Sequence, residues 1–201
     1  IFHSIEGMSR QNGDLSNTAF GNYGLLLGVI LIVAGFGFKI SSVPFHMWVP
    51  DVYQGAPTPI TAFLSVASKA AGFAVILRVF YGSFSSESLS IEWSMIFAIM
   101  AVLSMAIGNF VAISQKNIKR LLAYSTIAHA GYIMMGLTVV SSRMDDFTLA
   151  GPGGVVFYLI GYAATNLAAF VAVIAISNKT GSDLIEDFAG IGRRSPVIAI
   201  C

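Results

Sequence analysis

The sequence predicts an all-α polytopic membrane protein with about five transmembrane helices, the first of them discontinuous, in one transmembrane domain over residues 1–201. Composition is the first observation, because 56% of the residues are apolar and 10% are charged, whereas soluble domains carry roughly 25% charged residues. The second is a set of long apolar runs, each able to cross about 30 Å of hydrocarbon. The third is a proline-containing interruption after the first run. Helices are expected because open strands would leave backbone groups without hydrogen bonds in lipid.

The first helix is predicted at 22–40, after a polar stretch, residues 1–20, that is typical of a loop. Gly24 and Gly28 lie one helical turn apart, which predicts a seam of small residues for close packing. Pro44 lacks an N–H group and disfavours helix at the residue before it, so we expect a break there. A short aromatic continuation is predicted at 44–54.

Four further helices are predicted at 59–81, 91–114, 121–141 and 153–177, and another is expected to start at residue 196. The apolar run after residue 196 stops within a few residues, so we expect this chain to be a piece of a longer protein. Lys and Arg are more numerous in the 114–120 connection and after residue 177 than in the alternate connections. The positive-inside rule therefore predicts that the 114–120 loop faces the cytoplasm, together with the 55–59 turn.

Several kinds of site are missing from the sequence. The single cysteine, Cys201, cannot form an internal disulfide or a cysteine-ligated zinc or iron–sulfur site. The sequence has no nucleotide-binding glycine motif and no set of haem or metal ligands. We therefore expect no cofactor in this chain. The net charge of +1 provides no basic field that would bind nucleic acid.

Lys69 is the strongest candidate for a functional residue, because it lies near the middle of the predicted 59–81 helix. A lysine at the centre of a spanning helix costs about 2.5–3.5 kcal/mol on the insertion scale. Ionisable groups placed there are functional by default, so we expect Lys69 to relay protons. The alternative is a structural lysine that pairs with a carboxylate or a backbone carbonyl.

Lys39 and His46 flank the predicted break. Helix breaks inside a membrane are tolerated where the freed backbone lines a cavity or binds an ion. Lys39 either takes part in such a site or extends its side chain to the interface as an ordinary helix-end lysine. His46 can pass protons near neutral pH, and it is equally compatible with an interfacial aromatic belt.

His129 lies inside the predicted 121–141 helix, with Ser125 and Thr126 one turn before it and Tyr132 three residues after it. This file of polar residues favours either a water-accessible proton path or a hydrogen bond between helices. The pattern does not distinguish the two, so His129 is a further candidate for the proton relay.

The stretch from Lys39 through His46 to Pro59, continuing to Lys69, resembles the antiporter-like membrane subunits of proton-pumping NADH:quinone oxidoreductase, respiratory complex I. The motif Pro-Asp-Val-Tyr-Gln-Gly-Ala-Pro-Thr-Pro at 50–59 is most similar to the branch called subunit N in bacteria and subunit 2 in chloroplasts and mitochondria. The motif Lys-Arg-Leu-Leu-Ala-Tyr-Ser at 119–125 extends the resemblance, which covers the chain from about residue 22.

The resemblance implies roles for individual residues. Lys39 corresponds to the lysine of the family's discontinuous helix, His46 to the histidine beyond its break, and Lys69 to the proposed relay between half-channels. The glutamate that partners Lys39 in the family is expected upstream of Ile1. The last lysine of the family's proton path is expected beyond Cys201. Charge changes in neighbouring subunits would then shift the protonation of Lys39, and the proton would pass through water and His46 towards Lys69.

The resemblance also implies partners and location. The chain would belong to a translocase subunit in the bacterial inner membrane or an organellar equivalent, in contact with lipid and other membrane subunits. NADH, FMN, iron–sulfur clusters and quinone would be bound by those partner subunits. Two alternatives stay open, namely a subunit of a cation/proton antiporter complex and a structural membrane subunit whose lysines only form pairs.

Overall fold

The computed structural model describes residues 19–84, 87–139, 150–190 and 192, and it confirms the all-α fold class. The helices are α1 (Ala19–Ile40), α2 (Trp48–Gly55), α3 (Thr58–Phe63), α4 (Lys69–Ser83), α5 (Glu87–Ile113), α6 (Ile118–Thr138) and α7 (Ala150–Thr180). A π-helical turn, Leu64–Ser68, joins α3 to α4, and a 3₁₀ turn, Ile185–Phe188, follows α7. Residues 1–18 of the loop predicted at 1–20, and the helix start at 196, lie outside the described residues. The last two residues of that predicted loop, Ala19 and Phe20, belong to α1.

Length and apolar composition identify the spanning helices. Within the described ranges, three stretches are long and apolar enough to cross a membrane, namely Thr58–Gly82, Trp93–Ile113 and Ala150–Thr180. A shorter apolar stretch, Leu26–Ile40, lies in α1. Helix α6 has 21 residues, enough for about 30 Å at ~1.5 Å per residue. It is less apolar because it carries cations at its start and polar residues along its length.

Helix boundaries differ from the sequence prediction where side chains or turns act locally. Helix α6 begins at Ile118 rather than 121, because the Asn117 side chain accepts hydrogen bonds from the backbone N–H groups of Lys119 (2.9 Å) and Arg120 (3.2 Å). Helix α2 begins at Trp48 rather than 44, after a turn in which Ser41 has a φ of 65°.

The predicted packing seam in α1 meets no partner among the described residues and stays a prediction. A Cβ atom built on Gly24 or Gly28 would meet nothing within 4 Å. Helix α1 instead approaches α4 at its other end, where a Cβ on Gly72 would lie 2.9 Å from Ile40 Cγ2 and 3.5 Å from Lys39 Cγ. Glycine at position 72 therefore lets the end of α1 pack one turn beyond Lys69.

Helix α6 is the central helix of the bundle, with α5 packed closely against one side. A Cβ on Gly108 of α5 would lie 2.7 Å from the backbone nitrogen of Ala128. A Cβ on Gly131 of α6 would lie 2.8 Å from the Ala101 carbonyl oxygen and 2.7 Å from Met105 Cγ. Small residues thus bring the two backbones together, as is usual between spanning helices.

One end of the bundle is held by polar contacts between distant segments. Lys119 is 7% exposed, and its amine lies 2.8 Å from an Asp183 carboxylate oxygen. Arg120 pairs with Asp51 of α2 at 2.6 Å. The backbone N–H of Ile185 also donates to the carbonyl of Lys116 at 2.9 Å. These cations therefore join segments, in addition to the role in topology that the sequence predicts.

This end-face cluster agrees with the alternation of crossings predicted from the sequence. The amine of Lys119 also lies 3.5 Å from the carbonyl of Ala56, in the turn between α2 and α3. The 55–59 turn, the start of α6 and the segment after α7 therefore share one end of the bundle. That this end faces the cytoplasm stays a prediction.

Gly108→Ala should destabilise the protein by about 1–3 kcal/mol, because the added methyl group overlaps the α6 backbone and a packed interface cannot yield without strain. Gly161→Ala is the matched control, since a Cβ there meets nothing within 4 Å. Thermal denaturation in detergent measures both. An unchanged melting temperature for Gly108→Ala would contradict the close approach of α5 and α6.

Asp183→Asn should lower the free energy of unfolding at pH 7 by about 1.5–3 kcal/mol, the range for hydrogen bonds to charged groups. Burial alone would raise the pKa of the Asp183 carboxyl, but hydrogen bonds from Lys119 and Ser177 and the charge of Lys119 hold it below its usual 3.8. The folded pKa lies below the unfolded one, so this stability is present above pH 3.8 and is lost as the pH falls through the folded pKa.

The difference between wild type and Asp183→Asn should therefore shrink on acidification, as thermal denaturation at a series of pH values will show. Asp187→Asn is the control, because Asp187 is exposed and forms no ion pair within the described part of the chain. A difference that persists unchanged at low pH would contradict the assignment to this ion pair.

Candidate functional site

Lys69 is a buried cation at the first residue of α4, directly after the π turn. Its exposed fraction is 2%. The amine donates to the backbone carbonyl oxygen of Thr126 in α6 and lies 5.6 Å from the ring centroid of Tyr162 in α7. Neither ion pair recorded among residues 19–84, 87–139, 150–190 and 192 includes Lys69. Its contacts are therefore a carbonyl and an aromatic face, without a carboxylate.

The π turn sets the position of Lys69 relative to the start of its helix. Pro59 lies in the first turn of α3, where its fixed φ suits a helix start. Residues Leu64–Ser68 then form a wider turn before α4 continues the same rod. Such single π turns are frequent at functional sites in helices. This one carries Ser65, which is fully buried and faces α7.

A buried polar network adjoins Lys69. Asn166 of α7 donates from its amide nitrogen to Ser65 Oγ at 2.8 Å and to the Tyr162 hydroxyl oxygen at 3.1 Å. The Tyr162 hydroxyl lies 3.2 Å from the Ser65 carbonyl oxygen and 3.2 Å from Thr126 Oγ1. The π turn, α6 and α7 are thus hydrogen-bonded to one another beside the Lys69 amine.

His129 lies on α6 next to this network. Its Nδ1 atom lies 2.8 Å from the Tyr158 hydroxyl of α7. Its ring centroid lies 5.1 Å from that of Tyr162 and 5.7 Å from that of Tyr132. The hydrogen bond between helices that the polar file allowed is therefore present. The proton path through His129 stays a prediction.

Lys39 and His46 lie at the break, apart from the network. Lys39 is exposed in the last turn of α1. His46 is 8% exposed, and its Nδ1 atom is buried without a hydrogen-bond partner among the described residues. Since a buried ring nitrogen is costly to leave unpaired, this atom is available to a proton carrier such as water. The hydrogen bonds recorded for the described residues do not join Lys39, His46 and Lys69 to one another.

The sequence reasoning missed the α7 residues because that helix carries no charge in its apolar run. Tyr158, Tyr162 and Asn166 recur every four residues, which places them on one helix face. An amide and two hydroxyls on one face of a spanning helix are costly without partners. That spacing was the signal that could have identified them.

The arrangement can hold and exchange a proton at an enclosed amine. A charged lysine has three N–H donors, and the described contacts supply one hydrogen-bond acceptor and an aromatic face. A charge enclosed in this way is costly unless it is paired, which favours a group that loads and releases a proton. The described residues contain no cluster of three or more His, Cys, Asp or Glu side chains suited to a metal ion.

Comparison with known proteins places these features in one family. The family model described as "NADH:quinone oxidoreductase/Mrp antiporter, TM" matches residues 1–201. Subunit N of NADH-quinone oxidoreductase from Desulforamulus reducens is 55% identical over 195 residues, which covers 97% of this chain and 38% of that protein. The chain therefore spans less than half the length of this relative.

Solved structures show the same arrangement of helices. A chain of respiratory complex I from Thermus thermophilus matches with a TM-score of 0.66 and 36% identity, covering 87% of this chain and 35% of that one. A chain of the membrane-bound sulfane sulfur reductase, an archaeal respiratory membrane complex, matches with a TM-score of 0.76 and 29% identity, covering 86% of this chain and 34% of that one. Together with the family model, these matches confirm the resemblance noted in the sequence, and the chain belongs to the transmembrane family of NADH:quinone oxidoreductase and Mrp antiporter subunits.

Proposed function

We propose that the chain forms part of a proton-translocating membrane subunit of NADH:quinone oxidoreductase. The 55% identity to a subunit N over 97% of the chain supports this assignment within the family. Apolar helices long enough to span a bilayer support a multi-pass location. The subunit N relative comes from a bacterium, so the proposed location is the bacterial inner membrane. In an organelle the corresponding location would be the organellar membrane.

The single observation that carries the proposal is the burial of Lys69 in the interior of the described bundle. Its 2% exposure and its contacts with a carbonyl oxygen and an aromatic ring favour a group whose charge is conditional. A structural lysine could use the same carbonyl contact, so the cost of enclosing the charge is what favours a group that can release its proton. A proton carrier instead needs both charge states to be accessible, and a modest change in nearby charge then moves the proton.

We assign Lys69 as the relay, with Lys39 and His46 on the entry side and His129 adjacent to it. Lys39 lies in the last turn of α1, and its exposed side chain can respond to a change of charge in a neighbouring subunit. The unpartnered Nδ1 atom of His46 can pass a proton by way of water. The Tyr158-bonded His129 provides a second titratable ring near Lys69.

Redox chemistry belongs to other subunits in this proposal. NADH, FMN, iron–sulfur clusters and quinone are bound by partner subunits, and this chain holds no cofactor. Its partners are the other membrane subunits and the lipid. Electron transfer acts on this chain through charge changes in its neighbours, which shift the protonation of Lys39 and then of Lys69.

A cation/proton antiporter subunit is the second candidate function. The family model itself covers Mrp antiporters as well as NADH:quinone oxidoreductase, and the sulfane sulfur reductase match shows that the fold also occurs in another respiratory complex. The same buried lysine would serve in both. The 55% identity to a subunit N favours the oxidoreductase.

Lys69→Ala in the full-length subunit, assembled in the complex, should abolish most proton pumping, because the enclosed site loses its proton carrier. Membrane vesicles fed with NADH allow pumping and NADH oxidation to be measured together. Lys116→Ala is the control, since Lys116 is an exposed lysine in the end-face connection and should leave both rates unchanged.

Full pumping by the Lys69→Ala complex would overturn the proposal and leave Lys69 a structural residue. Sodium–proton exchange by the wild-type protein without NADH, lost in Lys69→Ala, would instead establish the antiporter function.

A further inference from the structure

We infer that Tyr162 and Asn166 of α7 are positioning residues for the Lys69 amine, acting through Thr126 and Ser65. This inference deepens the proposed function and rests on it. All four residues are almost completely enclosed, with exposed fractions of 7% for Asn166, 3% for Tyr162 and 0% for Thr126 and Ser65. An amide enclosed in a spanning helix would be costly without its hydrogen bonds.

The direction of each hydrogen bond follows from the number of protons available. The single hydroxyl proton of Ser65 is donated to the Ala62 carbonyl at 2.8 Å, so Ser65 Oγ accepts from Asn166. This contact fixes the amide nitrogen of Asn166 on the Ser65 side. The second N–H of that nitrogen is donated to the Tyr162 hydroxyl oxygen at 3.1 Å. Both amide protons are therefore used.

Asn166 thereby directs the one proton that Tyr162 can donate. With its oxygen already accepting from Asn166, the Tyr162 hydroxyl points its proton away, towards two acceptors at equal distance. These are the Ser65 carbonyl oxygen at 3.2 Å and Thr126 Oγ1 at 3.2 Å. One proton cannot serve both, but Thr126 has a hydroxyl proton of its own that can be donated to the Tyr162 oxygen. The Tyr162 hydroxyl can therefore bond to the π turn and to α6 at the same time.

These two hydrogen bonds position the two partners of the Lys69 hydrogen bond. Ser65 lies in the π turn that carries Lys69, and Thr126 provides the carbonyl oxygen to which the Lys69 amine donates. Tyr162 therefore holds the donor-bearing segment and the acceptor-bearing helix against α7. Its ring face also lies 5.6 Å from the amine, within the range of a cation–π contact. Removal of the hydroxyl alone keeps that ring and tests the positioning role.

The test uses Tyr162→Phe, Asn166→Leu and Thr126→Val in the full-length subunit of the assembled complex. Each removes hydrogen-bonding groups and nearly keeps the side-chain volume. We expect a loss of roughly threefold to tenfold in proton-pumping rate, the scale of one neutral buried hydrogen bond, with the amount of assembled complex unchanged. The pH at which pumping is half-maximal should also move. The described titratable side chains around the network are Tyr53 of α2, Lys69 of α4, His129 of α6, and Tyr158 and Tyr162 of α7.

Two variants serve as matched controls. Tyr81→Phe removes a hydroxyl that lies 3.3 Å from the Leu137 carbonyl oxygen, outside the network. Thr138→Val removes an exposed hydroxyl that donates to the Met135 carbonyl oxygen within α6 at 2.7 Å, away from the network. Both should pump at the wild-type rate with the wild-type pH profile, which separates positioning of Lys69 from a general loss of packing.

A double-mutant cycle identifies the route. If Tyr162 acts through Thr126, the double variant Tyr162→Phe/Thr126→Val should pump protons at least as fast as the slower of the two single variants. Additive losses would overturn this route. Suppose that Lys69→Ala fails to pump, but Tyr162→Phe and Asn166→Leu both pump at the wild-type rate with the wild-type pH profile. That result would overturn the inference and leave the proposed function intact. Wild-type pumping in Lys69→Ala would remove the proposed function itself.

Discussion

The hydrogen bond from the Lys69 amine to the Thr126 carbonyl oxygen is the interaction on which the rest of the site depends. It joins the 58–83 rod to α6, which is the helix most completely enclosed by its neighbours. A lysine can reach a backbone carbonyl at this depth only if the two helices are close and their rotation is fixed. The π turn, the Gly72 contact and the glycine-mediated approach of α5 all serve that condition.

One end of the bundle and its middle are stabilised by different kinds of interaction. At the end, formal charges pair across segments that are distant in sequence, as in Lys119 with Asp183. In the middle, neutral hydroxyl, amide and carbonyl groups satisfy one another, and Lys69 is the one buried cation of that described interior. Neutral groups leave the state of that cation open, since they do not neutralise it permanently. Ion pairs therefore join the segments at this end of the bundle, whereas the proposed function requires the charge at its centre to change.

The sequence predicted the all-α fold, the break after α1 and the importance of Lys69, because each depends on local composition or on depth along an apolar run. The early start of α6 was also accessible, since an asparagine before Ile118 is a typical helix cap. The π turn was not, because nothing in Leu64–Ser68 distinguishes it from ordinary helix. The Lys119–Asp183 pair and the carbonyl partner of Lys69 depend on which helices meet, which one sequence does not specify. Asn166 was overlooked because it is uncharged.

Between residues 157 and 171, helix α7 has an inner side that faces the bundle and an outer side that is exposed. One side carries Tyr158, Tyr162 and Asn166 into the bundle, and the other presents large apolar side chains such as Phe157, which is 82% exposed, and Val171, which is 65% exposed. These outer side chains have no specific partner atom among the described residues, so exchanges among Val, Ile, Leu and Phe there keep the surface apolar. On the inner side each polar atom has a specific partner. Amino-acid substitutions along this helix should consequently be frequent on the outer side and rare at the inner positions 158, 162 and 166.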